Sequence, residues 1–255
     1  MKTNGTRIIL IVVFLQLLAL ICSIGASAQP DYNFSNGSLI SGTDKQVNAR
    51  YRFTSVKPGI DAIVTITSIT GGIALNQIDG SSGFKEAFQP VIDLPAHTNG
   101  HVEFKIDFVT AGTFTLRVMN EVPATCIDVD GRMRGGFPIN EYDMIRKTPG
   151  VYVDYNLLGG ELTISYNATW IIGTNISTID YPGVDTLAKE AMFSTVQANI
   201  SSMTIRVGGN NQSAERMGKR EEEKAARIMV VEVVSITSPK AYRPSRQTRR
   251  EKKSE

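Results

Sequence analysis

From His101 to Phe108 every even-numbered residue is apolar and every odd-numbered residue is polar. Only an extended backbone sends successive side chains to opposite faces, so this octapeptide predicts a strand with one face packed and one in water. The same period of two recurs at Tyr51/Phe53, Val64/Ile66, Val151/Val153/Tyr155, Leu162/Ile164/Tyr166 and Met203/Ile205/Val207. Phe114, Leu116 and Val118 repeat it just after the Ala111-Gly112 turn, which predicts a hairpin. The run Ile228 to Val234 is apolar on both faces apart from Glu232 and predicts a central strand. Turn signals at Lys57-Pro58-Gly59, Gly71-Gly72, Asp79-Gly80, Asn99-Gly100, Pro149-Gly150, Gly159-Gly160 and Gly208-Gly209-Asn210 separate these runs. No long amphipathic helix lies between them. The expected fold is therefore all-β, an antiparallel β-sandwich or jelly roll of about ten strands, and a parallel βαβ architecture is excluded.

The two ends of the chain read differently from the middle. Lys2 and Arg7 precede the apolar run Ile8–Ile24, and Ala26-Ser27-Ala28 then forms a small-x-small exit before Gln29. This predicts a signal peptide over residues 1–28, a secreted mature chain, and no transmembrane span after cleavage. A retained membrane anchor is the competing reading, and the Ile21-Cys22 context argues against a lipid anchor. Cleavage leaves Cys126 alone, so the mature chain has no internal disulfide and its core must hold the fold. Beside Ile127, that cysteine is expected to act as a small buried hydrophobe. Residues 29–238 form the expected sandwich domain. Within it Ser213–Arg227 is a charged excursion weakened as a helix by Gly218, and residues 239–255 are a basic tail expected to be disordered. The tail carries a net charge of +5, which leaves the body before it at about −5. An acidic body of this kind is not built to bind a specific nucleic acid.

One stretch concentrates carboxylates. In Asp128-Val129-Asp130-Gly131, alternate acids precede a glycine that permits a sharp turn, as in the opening of many oxygen-ligand calcium loops. The spacing excludes an EF-hand. Calcium takes six to eight oxygens, so Glu141 and Asp143 are the expected further ligands, with Asp61 or Asp185 as acids arriving from other turns. The competing reading makes Asp-Gly a polar turn capped by Asp128. Asp61 and Asp185 share a Pro-Gly-aliphatic-Asp-small context, a short echo that is weak support for a duplication. His97 and His101 flank an expected turn at Thr98–Gly100, but the other ligands of a zinc site are missing. No nucleophile elbow, His-Glu-x-x-His or phosphate loop occurs, and a two-carboxylate glycosidase is the one catalytic class that spacing leaves open. Trp170 continues the Leu162/Ile164/Tyr166 alternation and is expected on the packed face. Asn33, Asn36, Asn167, Asn175, Asn199 and Asn211 each begin an Asn-x-Ser/Thr sequon.

Taken together, "NARYRFTSVKPGIDAIVTI", "NQIDGSSGFKEAFQPVI", "CIDVDG" and "ISSMTIRVGGNN" resemble an uncharacterised secreted β-sandwich module of Bacteroidota surface proteins, over most of Asp31 to Asn211. The resemblance implies a cell-envelope or extracellular role in binding or structure, and it places the Asp-x-Asp-Gly segment in a loop of the module. Residues 213–255 depart from that pattern, with neither a sorting domain nor downstream repeats. The expected function is thus that of a non-enzymatic, calcium-stabilised adhesion, ligand-binding or structural module. It would be secreted or at the cell surface, with the periplasm as the other compartment, and its partner would be an extracellular glycan or surface protein. A carbohydrate-active hydrolase or carbohydrate-binding domain on the same scaffold is the alternative.

Overall fold

The computed structural model describes residues 32–35, 37–80, 85–181, 187–212 and 228–230. The expected signal peptide (1–28), the charged excursion (213–227) and the basic tail (239–255) lie outside these residues. Among the described residues fifteen strands follow one another. The first five are β1 (Gly37–Ser41), β2 (Arg50–Lys57), β3 (Ile60–Ile69), β4 (Ala74–Gln77) and β5 (Val91–Asp93). Then come β6 (Thr98–Thr110), β7 (Met119–Ile127), β8 (Gly131–Arg134), β9 (Phe137–Arg146) and β10 (Tyr152–Tyr155). The last five are β11 (Leu162–Tyr166), β12 (Trp170–Asn175), β13 (Phe193–Ile200), β14 (Ser202–Asn211) and β15 (Ile228–Val230). A 3-10 turn, Lys189–Ala191, precedes β13, and no helix among the described residues is long and apolar enough to cross a membrane.

Nine strands form one antiparallel sheet in the order β1-β2-β3-β6-β14-β9-β12-β11, with β8 added beside β9. Four more form a second sheet, β10-β13-β7-β15, and β4 pairs with β5 in a short ribbon. The inner faces of the two large sheets share one core, so the fold is an antiparallel β-sandwich. Strand β6 shows why. Its even-numbered residues Val102, Phe104, Ile106 and Phe108 are fully buried in that core, while Glu103 and Lys105 on the other face reach water. Phe193 and Val122 supply the opposing face from the second sheet. Phe34, Phe53, Phe88 and Phe104 interlock with ring centroids 5.2–5.9 Å apart, mostly edge to face. Each such buried ring contributes roughly 2–3 kcal/mol of transfer free energy.

Several strands fall where alternation places them, and four expectations need correction. Phe114, Leu116 and Val118 do not form a packed hairpin strand: a single bridge, Leu116 to Val109, ties the segment to β6, and all three side chains are exposed. Within the described second sheet Ile228–Val230 stands at the edge beside β7, and the rest of that expected run, 231–234, lies outside the described residues. Thr98–Gly100 is not a turn but the start of β6, paired with Asn211–Gly209. His97 is consequently an exposed loop residue, and His101 sits in the strand with its Nδ1 3.3 Å from Thr70 Oγ1. Trp170 is buried, but on the outer face of its sheet. It is Ile171, its neighbour, that enters the core, while the Arg206 guanidinium lies 4.0 Å from the indole centroid.

Candidate functional site

The Asp-x-Asp-Gly segment is a corner between the two sheets. Strand β7 ends at Ile127 in the four-stranded sheet, and β8 begins at Gly131 in the nine-stranded one. Three residues make the crossing. Asp128 adopts the left-handed conformation, φ +62°, which Asp tolerates better than most residues. The alternation of an extended strand therefore does not run through it, and the two carboxylates are not held on one side by strand geometry. Val129 is fully buried in the shared core. Its N–H donates to Ala191 O at 3.0 Å, and its C=O accepts from Asn175 Nδ2 at 2.8 Å. Gly131 then passes so close to the β12 exit that an added Cβ would lie 2.1 Å from Asn175 Oδ1 and 2.2 Å from Ser177 O. Only glycine fits there.

Of the four expected ligands, the corner brings two together. Asp130 N–H donates to Glu141 Oε2 at 3.2 Å, and Glu141 N–H donates back to Asp130 O at 3.0 Å. Asp130 Oδ2 also accepts the Tyr181 N–H at 3.0 Å. Asp130, Gly131, Arg132, Ile139, Glu141 and Asp180 line a small open cleft with room for little more than a water-sized group. Glu141 is not in a loop that folds back. It stands on β9 with Asp143, on the face that Ile139 and Ile145 turn to the core. Asp143 is 1% exposed and lies against Cys126 instead. Burial raises the Cys126 thiol well above its ordinary pKa, and the charge of Asp143 and a hydrogen bond to it add to the effect. With no exposed surface, Cys126 serves as a packing group. Asp128 is buried at 2% exposure. Among the described residues no group of three or more His, Cys, Asp or Glu is arranged to hold a metal ion, and Asp185 lies outside them.

Asp61 is occupied elsewhere, accepting from Arg52 Nη1, Ser55 N and Gly112 N at 2.8–2.9 Å. In its place the structure sets Asp180 at the cleft and Glu161 behind it. Glu161 is buried, and its two oxygens accept from Tyr181 OH at 2.6 Å and Ser177 Oγ at 2.5 Å. The hydrogen bond to Glu161 raises the Tyr181 pKa, and burial and the nearby charges of Glu161, Glu190 and Asp130 reinforce it. Asn175 Oδ1 accepts the Ser177 N–H at 2.7 Å, so the Asn175 sequon is an Asx turn of a buried corner and no glycan acceptor. Asn211 is likewise buried, donating to Leu94 O at 3.0 Å. Asn33, Asn167 and Asn199 are the exposed sequon asparagines among the described residues. The Asn-x-Ser spacing at 175–177 was the one available sign that residues 175–181 fold against the corner. No family model matches the sequence, and no curated protein or solved structure matches it.

Proposed function

We propose that this chain works outside the cytoplasm as a non-enzymatic β-sandwich for adhesion or ligand binding, with calcium stabilising its acidic inter-sheet corner. The observation that carries the reading is the corner itself. Asp130 and Glu141 are joined by two hydrogen bonds, Glu141 N–H to the Asp130 carbonyl and Asp130 N–H to the Glu141 carboxylate, and open with Asp180 on a shared cleft, so oxygen-rich side chains sit where the chain passes between sheets. Hard cations such as calcium take carboxylate and carbonyl oxygens of this kind. Asp130 and Glu141 would supply the first ligands, and Asp180 would have to close on them across the cleft, because the three are not drawn together without an ion; Asp143 is turned away to Cys126.

The sugar-binding alternative would need an aromatic platform. The single tryptophan does not offer one, because Arg206 covers the face of Trp170. The deciding experiment presents residues 29–255 to a glycan array and to soluble polysaccharides, with calcium and with chelator. Binding of a glycan or surface protein without turnover is the expected outcome. Release of reducing sugar, lost on replacing Asp130 or Glu141, would make the chain a hydrolase.

A further inference from the structure

Between β6 and β7 every residue from Ala111 to Val118 is exposed. Phe114, Leu116 and Val118 are 62%, 53% and 59% accessible, although they occupy alternate positions of an extended segment. The segment is firmly held all the same. Thr110 N–H donates to Thr115 O at 2.9 Å, Arg117 N–H donates to Phe108 O at 2.8 Å, and Leu116 bridges Val109 between them. At the tip Asp61 accepts the Gly112 N–H, and Arg52 donates to Thr113 O, both at 2.9 Å. The guanidinium groups of Arg50 and Arg52 lie 5.3 and 4.8 Å from the Phe114 ring centroid.

Antiparallel pairing uses backbone groups alternately. Thr115 and Arg117 bond toward β6, so the N–H and C=O of Leu116 point the other way, and no described residue pairs with them. Folded proteins normally blunt such an edge with charge, bulges or a covering loop. Here the edge carries three apolar side chains and is already ordered, so a partner strand loses little to disorder on this side.

We propose that Phe114–Val118 is a docking edge that takes an extended, acidic and apolar segment of a partner protein as an added strand. The backbone of Leu116 supplies the ladder and the apolar row supplies contact area. Charge selects the partner. Arg52 is paired with Asp61, whereas Arg50 and Arg117 make no ion pair among the described residues and are left to meet an acidic segment. A second copy docking here would bring two sets of these arginines together, which disfavours it.

The test uses the full chain and a labelled heptapeptide alternating glutamate and valine, read by fluorescence anisotropy at low salt. A peptide with lysine in place of glutamate is the control. The acidic peptide should bind roughly tenfold tighter than the basic one or better. Leu116→Pro, which deletes the outward N–H, should weaken binding by about tenfold. Should that variant misfold, Leu116→Ser and Arg117→Glu keep the backbone and should weaken it as well. Equal affinity for the two peptides, no binding, or binding untouched by these substitutions overturns the proposal. A concentration-dependent dimer abolished by Leu116→Ser overturns it too, in favour of a second copy.

Discussion

Asp61 follows a turn and Asp79 lies in the bend after β4, and their surroundings drive their ionisation in opposite directions. Burial pushes both upward. At Asp61 the N–H groups of Gly112 and Ser55 and the Arg52 guanidinium outweigh it, and the net shift is below the ordinary 3.8. At Asp79 burial dominates, the one opposing bond comes from Gln89 N–H, and the carboxyl is pushed up to about 7. The signs for stability follow. The Asp61 contribution is present above its unfolded pKa near 3.8 and is lost as pH falls through the lower folded value. The Asp79 contribution is complete below 3.8 and is lost as pH rises toward 7. Urea unfolding from pH 4 to pH 7.5 should therefore show a downward stability slope that Asp79→Asn removes, since the amide keeps the acceptor and loses the charge. An unchanged slope in that variant would assign it to other groups. At pH 7.5 Asp61→Asn should cost about 3 kcal/mol, because it leaves Arg52, whose side chain is 14% exposed, beside an uncharged partner.

At the scale of elements, β13 carries a conflict that invites a repair. Phe193, Thr195 and Gln197 all face the core, and the Thr195 hydroxyl and both amide atoms of Gln197 are buried without a hydrogen-bond partner among the described residues. Gln197→Met keeps the volume and removes the unsatisfied amide, and should raise stability by about 1–2 kcal/mol in chemical denaturation. A loss of similar size would mean that an ordered internal water satisfies the glutamine. The same inner-face polarity decides which strands could be read from sequence. Strand β6 was legible because its inward residues are all apolar. Strand β9 was not, because Glu141 and Asp143 sit inward between Ile139 and Ile145 while Tyr142 and Met144 sit on the other face. Its alternation is inverted where the candidate site lies. Strand β7 was hidden by Pro123, which looks like a strand breaker but pairs opposite Val196. In the other direction, Phe114–Val118 has the period of a packed strand and is exposed, since periodicity reports shape and says nothing of what covers a face. Asp130 and Glu141 were legible as neighbours by chemistry alone. Asp180 and Glu161 were not, because Asp180 lies in the loop after β12 and Glu161 just before β11, and no spacing rule joins them.

At the scale of the whole molecule, the corner at Asp128–Asp130 is one of the covalent links between the sheets, and its hydrogen bonds reach β9, the β12 exit and the turn before β13. Like charges gathered there oppose docking unless something offsets them. A cation that drew Asp180 in beside Asp130 and Glu141 would tie β8, β9 and residues 175–181 together and would bind the folded state alone. Linkage then sets the size of the effect: at a calcium concentration about 100 times Kd, stability rises by about 2.7 kcal/mol. For a domain of this length that is a rise in Tm of about 5–10 °C. Asp130→Asn should abolish the rise while melting no lower than the wild type in chelator, because it also removes one of the repelling charges. Magnesium should do less, since it demands a regular octahedron and gives up its water reluctantly. Differential scanning calorimetry of the two proteins, each with calcium, magnesium or chelator, measures all of this in one series. If both proteins melt alike in every condition, the acids at the corner are held by hydrogen bonds only, and the segment is a turn between two sheets.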